Sequence, residues 1–340
     1  MFNIVKMEKG LSKFILPAIL FLYGCKNNDK PFVDNSPSGF DHTLKNMNEA
    51  IGTTPDEDSL YLIRGSFYLE NEKFEEAVLD FMQAWKLDST HPEALHKLSD
   101  TYLAYFKSYE ALQILIKATE KFPNSAPTMR HLAKLQLILK QYDEGFKTLE
   151  KARNIGEGMP ETAFLTGIFF KEIGDTARAI NSLQEAIEGD ADIEDAWIIL
   201  GQLQEAKGNS IAKRYYETAL QRNPSNKQAL MAKANFLAKN NDLLSALRIF
   251  RKLQSIEPEN ADPFFNAGLI LLDVDSIEQA SSQFDQAISL NPLLIEGQFY
   301  CGLSAEWLGD NQKAKKHYQL ALRLAPDYKE AKDGLLRLNK

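Results

Sequence analysis

The sequence predicts an all-α protein, an α-solenoid in which similar pairs of helices follow one another along most of the chain. A nine-residue motif recurs as FDQAISLNP at 284–292, YQLALRLAP at 318–326 and YETALQRNP at 216–224. The copy at 318 starts 34 residues after the copy at 284, and the copy at 216 starts 68 residues before it. Because 68 is twice 34, the motif recurs with a period of 34 residues. Small and large residues hold fixed places within that period, and the apolar residues between them follow the spacing of a helix.

Length and composition are those of a folded protein. The chain has 340 residues, of which 44% are hydrophobic and 25% are charged, enough for two ordinary domains or one long repeat array. The net charge is −8 at pH 7. Because nucleic acids require a clustered basic surface, this charge predicts that no nucleic acid is bound.

The first residues, 1–24, have the layout of a secretory signal peptide. Three lysines precede a short apolar run, and the small residue Gly24 and then Cys25 follow it. The stretch LYGC at 22–25 resembles the lipobox of bacterial lipoproteins. This resemblance implies that Cys25 is lipidated and becomes the new N-terminus. The alternative is an ordinary hydrophobic N-terminus with an incidental cysteine.

Residues 25–40 are predicted to be a flexible tether. They are rich in Asn, Asp, Pro, Ser and Gly and show no apolar period. A tether that follows a lipidated cysteine predicts a body held near a membrane. We expect the outer membrane of a bacterium, with the body on the periplasmic face or at the cell surface.

Eight repeats account for residues 58–328. Their bounds are 58–91, 92–125, 126–159, 160–193, 194–226, 227–260, 261–294 and 295–328. Position 8 of every repeat is Gly, Ser or Ala, position 20 is Ala or Gly, and position 24 is large and apolar. Small residues let two antiparallel helices approach closely, and the large residue fills the groove between them. One such hairpin cannot bury its apolar face alone, so neighbouring repeats must stack.

Segments flanking the array are predicted to cap it. Residues 41–57 are in phase with the second half of a preceding repeat, and residues 329–340 form one more helix with a polar outer face. Repeat arrays need such ends for solubility.

The repeat positions resemble the tetratricopeptide repeat, over residues 58–328. The resemblance implies a right-handed superhelix in which the first helix of each pair lines a concave groove, mainly through positions 2, 5, 9, 12 and 13. It also implies a non-catalytic scaffold or adaptor that binds protein or peptide partners in this groove. Similar lipoproteins serve envelope assembly, secretion or the cell-wall machinery.

Groove positions of the early repeats are polar, and those of the later repeats are apolar. The polar set is His96, Asp100, Arg130 and Lys134. The apolar set is Phe164, Ile168, Ile198, Met231, Phe265, Leu269, Phe299, Leu303 and Trp307. We expect the apolar strip to bind a partner's apolar segment, with Phe265 beside Phe299 and Leu269 beside Leu303. The alternative is that these side chains pack between neighbouring first helices.

Two charge patterns also allow more than one interpretation. Arg130 and Lys134 could hold a single carboxylate, or could be two solvated bases. Position 2 is acidic in five repeats, as Glu93, Glu161, Asp195, Asp262 and Glu296. The helix macrodipole explains carboxylates in a first turn without any function, and an acidic rim that selects basic partners is the alternative.

No catalytic constellation, metal-binding spacing or phosphate loop is present in the sequence. We therefore expect no enzyme activity, no cofactor, no metal and no small-molecule substrate. A second class of function is a structural envelope component that binds peptidoglycan or another glycan. Trp307 beside Glu306 is the feature that points to it.

Overall fold

In a computed structural model, residues 37–339 are described, and they contain eighteen α-helices and no β-strand. Each of the eight 34-residue segments holds two of these helices, which confirms the predicted all-α helix-pair repeat. The chain divides into two compact units at Asp175. We refer to residues 37–175 as the N-terminal unit and to residues 176–339 as the C-terminal unit.

The N-terminal unit contains a leading helix and seven helices of repeats 1 to 4. They are α1 Pro37–Thr53, α2 Asp58–Glu70, α3 Phe74–Leu87, α4 Glu93–Ala104, α5 Ser108–Lys121, α6 Ala126–Ile138, α7 Tyr142–Ile155 and α8 Met159–Glu172. Because α1 begins at Pro37, residues 37–40 are helical and the prediction that they belong to a flexible tether is wrong. Cys25 and the signal-like segment lie outside the described residues.

The C-terminal unit contains the remaining ten helices. They are α9 Thr176–Gly189, α10 Glu194–Ala206, α11 Ala212–Arg222, α12 Lys227–Lys239, α13 Leu243–Ile256, α14 Ala261–Asp273, α15 Ile277–Leu290, α16 Ile295–Trp307, α17 Asn311–Leu324 and α18 Lys329–Leu338. No helix in the described part of the chain is long and apolar enough to cross a membrane.

In repeats 1, 5, 7 and 8, the glycine at position 8 faces the large ring at position 24. A Cβ atom added to Gly268 would lie 2.5 Å from the ring of Phe284, and one added to Gly302 would lie 2.7 Å from the ring of Tyr318. Both rings are fully buried. These contacts join positions 8 and 24 of one repeat, so the small-and-large pattern of the sequence marks the closest approach of its two helices.

Buried tyrosines of the C-terminal unit place their hydroxyls on paired glutamates. The Tyr216 hydroxyl donates to Glu205 Oε2 at 2.9 Å, and Lys239 Nζ lies 2.6 Å from Oε1 of the same carboxylate. Lys239 belongs to the following repeat, so this network joins two repeats. A buried hydroxyl without a hydrogen-bond partner would lower the stability of the fold, and Glu205 supplies that partner. Because Glu205 also binds Lys239, it connects the hydroxyl to a helix of the next repeat.

Candidate partner-binding surfaces

In the N-terminal unit, the first helices of repeats 2 and 3 meet through a stacked pair of histidines. The rings of His96 on α4 and His131 on α6 lie 4.0 Å apart with an interplanar angle of 11°. His96 Nε2 is hydrogen-bonded to Thr128 Oγ1 at 3.0 Å. His131 Nδ1 lies 3.0 Å from the carbonyl of Pro127, which can only accept, so Nδ1 carries the hydrogen.

Burial determines the charge of this pair. It lowers the pKa of His96 to about 3, and the charges of His131 and Lys134 lower it further. It also lowers the pKa of His131 to about 4, although the hydrogen bond of this ring to a backbone carbonyl acts in the opposite direction. Burial also raises the pKa of Asp100 to about 6, although Lys97 and Lys134 act in the opposite direction. The histidines are therefore neutral at pH 7 and pack as flat aromatic rings. Sequence analysis placed His96 in the groove but did not predict its contact with His131.

The Arg130 side chain is hydrogen-bonded to backbone carbonyls of this chain. Its Nη1 donates to the carbonyl of Glu157 at 2.9 Å and to that of Gly158 at 3.3 Å. Gly158 has φ +62°, and a Cβ there would lie 2.5 Å from Arg130 Nη1. The interpretation of Arg130 as a solvated base is therefore wrong, because it ties α6 to the corner between α7 and α8. Lys134 is half-buried on the same helix.

Of the two apolar candidates in the N-terminal unit, one is buried. Ile168 on α8 is 9% exposed, and Phe164, one turn earlier on the same helix, is half-buried. Ile168 therefore packs within the chain, as the alternative interpretation stated. Phe164 keeps a surface that a partner can reach.

In the C-terminal unit, Phe299 is also a core residue. It is 8% exposed, and its ring lies 5.8 Å from that of Tyr318 and 5.6 Å from that of Tyr328. A ring so enclosed cannot contact a partner without unpacking the end of the array. Phe299 therefore packs within the chain, as the alternative interpretation stated, and the prediction that it contacts a partner is wrong. Ile198, at 2% exposed, is buried in the same unit.

Tyr300 links the two halves of the predicted strip. Its ring lies 5.8 Å from Phe265, 5.1 Å from Phe299 and 5.4 Å from Phe284. Phe265 and Leu269 pack with one core cluster, Phe299 and Leu303 with another, and Tyr300 packs against both. Sequence reasoning missed Tyr300 and Tyr328, because it followed position 5 and left out the aromatic residues beside it.

Trp307 is the exposed member of the strip, with 53% of its surface accessible. The adjacent Glu306 accepts hydrogen bonds from Arg337 Nε and Nη2, both at 2.8 Å, and from the Tyr318 hydroxyl at 2.5 Å. Its carboxylate is therefore occupied, and the pairing of Trp307 with a free Glu306 expected for a glycan site is not formed. Within residues 37–339, no group of three or more His, Cys, Asp or Glu side chains is placed to hold a metal ion.

Comparisons with known proteins agree with the repeat. Tetratricopeptide repeat models match residues 58–91, 209–261 and 302–328, which confirms the predicted repeats. The C-terminal part of a TPR repeat-containing protein from Cytophaga hutchinsonii aligns with 71% of this chain and 99% of its own, at 20% identity and a TM-score of 0.57. A chain of the APC/C hetero-tetramer Cut9-Hcn1 aligns with 89% of this chain and 59% of its own, at 14% identity and a TM-score of 0.56.

Two of the curated relatives are distant and much longer than this chain. Protein O-mannosyl-transferase TMTC3 of Homo sapiens is 22% identical over 76% of this chain and 31% of its own length. Anaphase-promoting complex subunit 7 of Arabidopsis thaliana is 25% identical over 67% of this chain and 41% of its own length. The chain thus spans less than half of either relative.

Proposed function

We propose that this tetratricopeptide-repeat protein is a non-catalytic scaffold tethered to the outer membrane of a bacterium. There it recruits partner proteins of envelope assembly, secretion or the cell-wall machinery. The observation that carries the proposal is the aromatic surface of the last repeats, where Tyr300 and Tyr328 are half-buried and Trp307 is exposed. Tetratricopeptide repeats bind protein or peptide partners, and aromatic anchors supply much of the affinity at protein interfaces.

The sequence before α1 supports the tethering half of the proposal. Cys25 follows Leu22 and Gly24 in the manner of a lipobox, and acyl chains on this cysteine would hold the protein at a membrane. Pro37 is only twelve residues further along the chain. At about 3.3–3.6 Å per residue, those residues reach roughly 40 Å when fully extended. The repeats would therefore work close to the membrane surface.

One experiment tests both halves. The wild-type protein and the variant Cys25→Ser are produced in a bacterium with an outer membrane, and the envelope is separated into soluble and membrane fractions. We expect wild type in the outer-membrane fraction and Cys25→Ser in the soluble fraction, with an unchanged circular dichroism spectrum. Wild type is then used to capture crosslinked envelope proteins. Membrane retention of the variant would contradict the anchor, and a wild-type capture that holds no envelope protein beyond a no-bait control would contradict the scaffold.

A further inference from the structure

We infer that the surface formed by α14, α16 and the start of α18 binds a cationic segment of a partner protein, through its Lys or Arg side chains. This inference rests on the proposed scaffold function and names the chemistry of its partner. The surface is referred to as the aromatic–acidic patch. It comprises Phe265, Asp273, Glu296, Tyr300, Tyr328 and Glu330.

The aromatic part of the patch offers ring faces and free hydroxyls. Tyr300 and Tyr328 are half-buried, and both pack on the buried ring of Phe299, at 5.1 and 5.6 Å between centroids. Phe265 adds a third half-buried ring, 5.8 Å from that of Tyr300. Neither tyrosine hydroxyl has a hydrogen-bond partner among residues 37–339. Such rings attract Lys and Arg cations, and such hydroxyls can accept their N–H groups.

Three carboxylates surround these rings. Burial raises the pKa of Tyr300, and the charges of Asp273, Glu330 and Glu296 raise it further, which places all three acids within electrostatic reach of the ring. Glu330 and Glu296 act on the pKa of Tyr328 in the same way, after burial. The local field therefore favours positive charge beside these half-buried rings.

These carboxylates are unpaired, in contrast to others in the C-terminal unit. Asp285 pairs with Lys313 at 2.6 Å, and Glu306 pairs with Arg337 at 2.8 Å. Within the described chain, none of the three acids of the patch has an ion-pair partner. A cation supplied by a partner would therefore meet charges that no residue among 37–339 neutralises.

The helix macrodipole accounts for only part of this acidity. Glu296 and Glu330 lie in the first turns of α16 and α18, where carboxylates are favourable for any helix. Asp273 lies instead at the C-terminal end of α14, where a carboxylate opposes the macrodipole. Burial also raises the pKa of Asp273. An acid placed against the macrodipole and near Tyr300 is consistent with a patch that serves a cationic ligand.

The test uses a short fluorescein-labelled peptide of alternating leucine and arginine, and a second peptide with citrulline in place of arginine. Citrulline keeps the shape of the side chain and removes its charge. Fluorescence anisotropy with the full chain should give roughly tenfold weaker binding of the citrulline peptide. The double variant Glu296→Gln/Glu330→Gln should weaken binding of the arginine peptide about fivefold and reduce its salt dependence.

The matched control is Glu278→Gln/Glu110→Gln. It removes two carboxylates from the first turns of the second helices α15 and α5, both exposed. We expect it to bind the arginine peptide like wild type. Because each double variant removes two first-turn carboxylates, both should lower the thermal midpoint slightly and to a similar extent. Tyr300→Phe, which keeps the ring and removes the hydroxyl, should weaken binding less than the loss of the two charges.

Three results would overturn the inference: no binding of the arginine peptide, equal binding of both peptides, or equal loss of binding in the patch and control variants. The capture of envelope proteins by wild type distinguishes this failure from that of the scaffold. If wild type and the patch variant capture the same partners, the scaffold stands and the cationic partner is wrong. If wild type captures none, the scaffold function itself fails.

Discussion

His96 in the N-terminal unit and Phe299 in the C-terminal unit occupy position 5 of their repeats, and they are almost equally buried. His96 is 9% exposed and Phe299 is 8% exposed. A neighbouring element covers each of them, His131 of the next repeat in one unit and Tyr328 at the start of α18 in the other. In these two repeats, position 5 is therefore packed between neighbouring elements, although it is a histidine in one and a phenylalanine in the other.

The two units differ in the chemistry that surrounds position 5. Around His96 lie Asp100, Arg130 and Lys134, and Arg130 bonds to carbonyls of the same unit. Around Phe299 lie half-exposed aromatic rings and carboxylates that have no ion pair in the described part of the chain. In the N-terminal unit, Arg130 already has hydrogen-bond partners within the chain. In the C-terminal unit, the carboxylates and aromatic rings around Phe299 remain available to a partner. The comparison shows that a polar residue at a groove position indicates a partner-binding site only weakly. A charged residue that has no partner within the described chain is the stronger indication.

The largest expected effect is on stability, and it comes from replacing the buried Phe299 in the C-terminal unit. Phe299→Ala should lower the free energy of unfolding by about 3–5 kcal/mol, because it leaves a cavity beneath Tyr300, Tyr318 and Tyr328. Urea denaturation measures the change. Phe106→Ala is the control, since Phe106 is 95% exposed, and it should change stability by no more than about 0.5 kcal/mol. If both substitutions change the free energy of unfolding by similarly small amounts, Phe299 is not a core residue.

A second pair of variants tests whether the two units share one scaffold. Ala111 and Ala280 occupy position 20 in repeats 2 and 7, and both are fully buried. Ala111→Leu and Ala280→Leu should each cost about 1–3 kcal/mol, because the added methylene groups separate two helices in contact. Thermal denaturation of both variants measures it. Midpoints that fall in only one variant would mean that the hairpins of the two units close differently.

The smallest expected effect sharpens the comparison through pH. The pKa values of His96 and His131 lie below 6.5 in the folded chain, so the unfolded chain binds more protons once the pH falls below that value. Their contribution to stability is therefore complete above pH 6.5 and is lost as the pH falls toward 4. The raised pKa of Asp100 acts oppositely, because its contribution is complete below 3.8 and is lost as the pH rises through about 6.

His131→Phe isolates this effect, because it keeps an aromatic ring and removes one titrating group. Between about pH 7.5 and about pH 5.5, wild type should lose on the order of 1 kcal/mol more stability than His131→Phe. Urea midpoints at the two pH values measure the difference. Asp100→Asn should enlarge the acid-induced loss relative to wild type. Parallel pH profiles for wild type and His131→Phe would show that the histidine pair does not titrate as its burial requires.

The sequence by itself determined the repeat and the way in which each hairpin closes. Gly268 and Phe284, or Gly302 and Tyr318, are paired within one repeat. Their spacing of sixteen residues recurs in every repeat except the fifth, where Gly201 and Tyr216 are one residue closer in the sequence. Helical period and side-chain size are local properties, so they can be read along the chain. The predicted repeat bounds enclose two helices each, apart from Met159, which begins α8 one residue before the fourth repeat. Residues 37–40, which the composition predicts to be part of the tether, belong to α1.

Only the tertiary structure decided which groove residues are free. Position 5 is buried at His96 and Phe299 but half-buried at Phe164 and Phe265, although the sequence pattern treats all four alike. Exposure there depends on how closely the next helix lies and on which side chains it presents. Tyr300, Tyr328 and their three acids come from different elements, α14, α16 and the start of α18. Their meeting is set by the stacking of repeats, and no single period of the sequence contains that geometry.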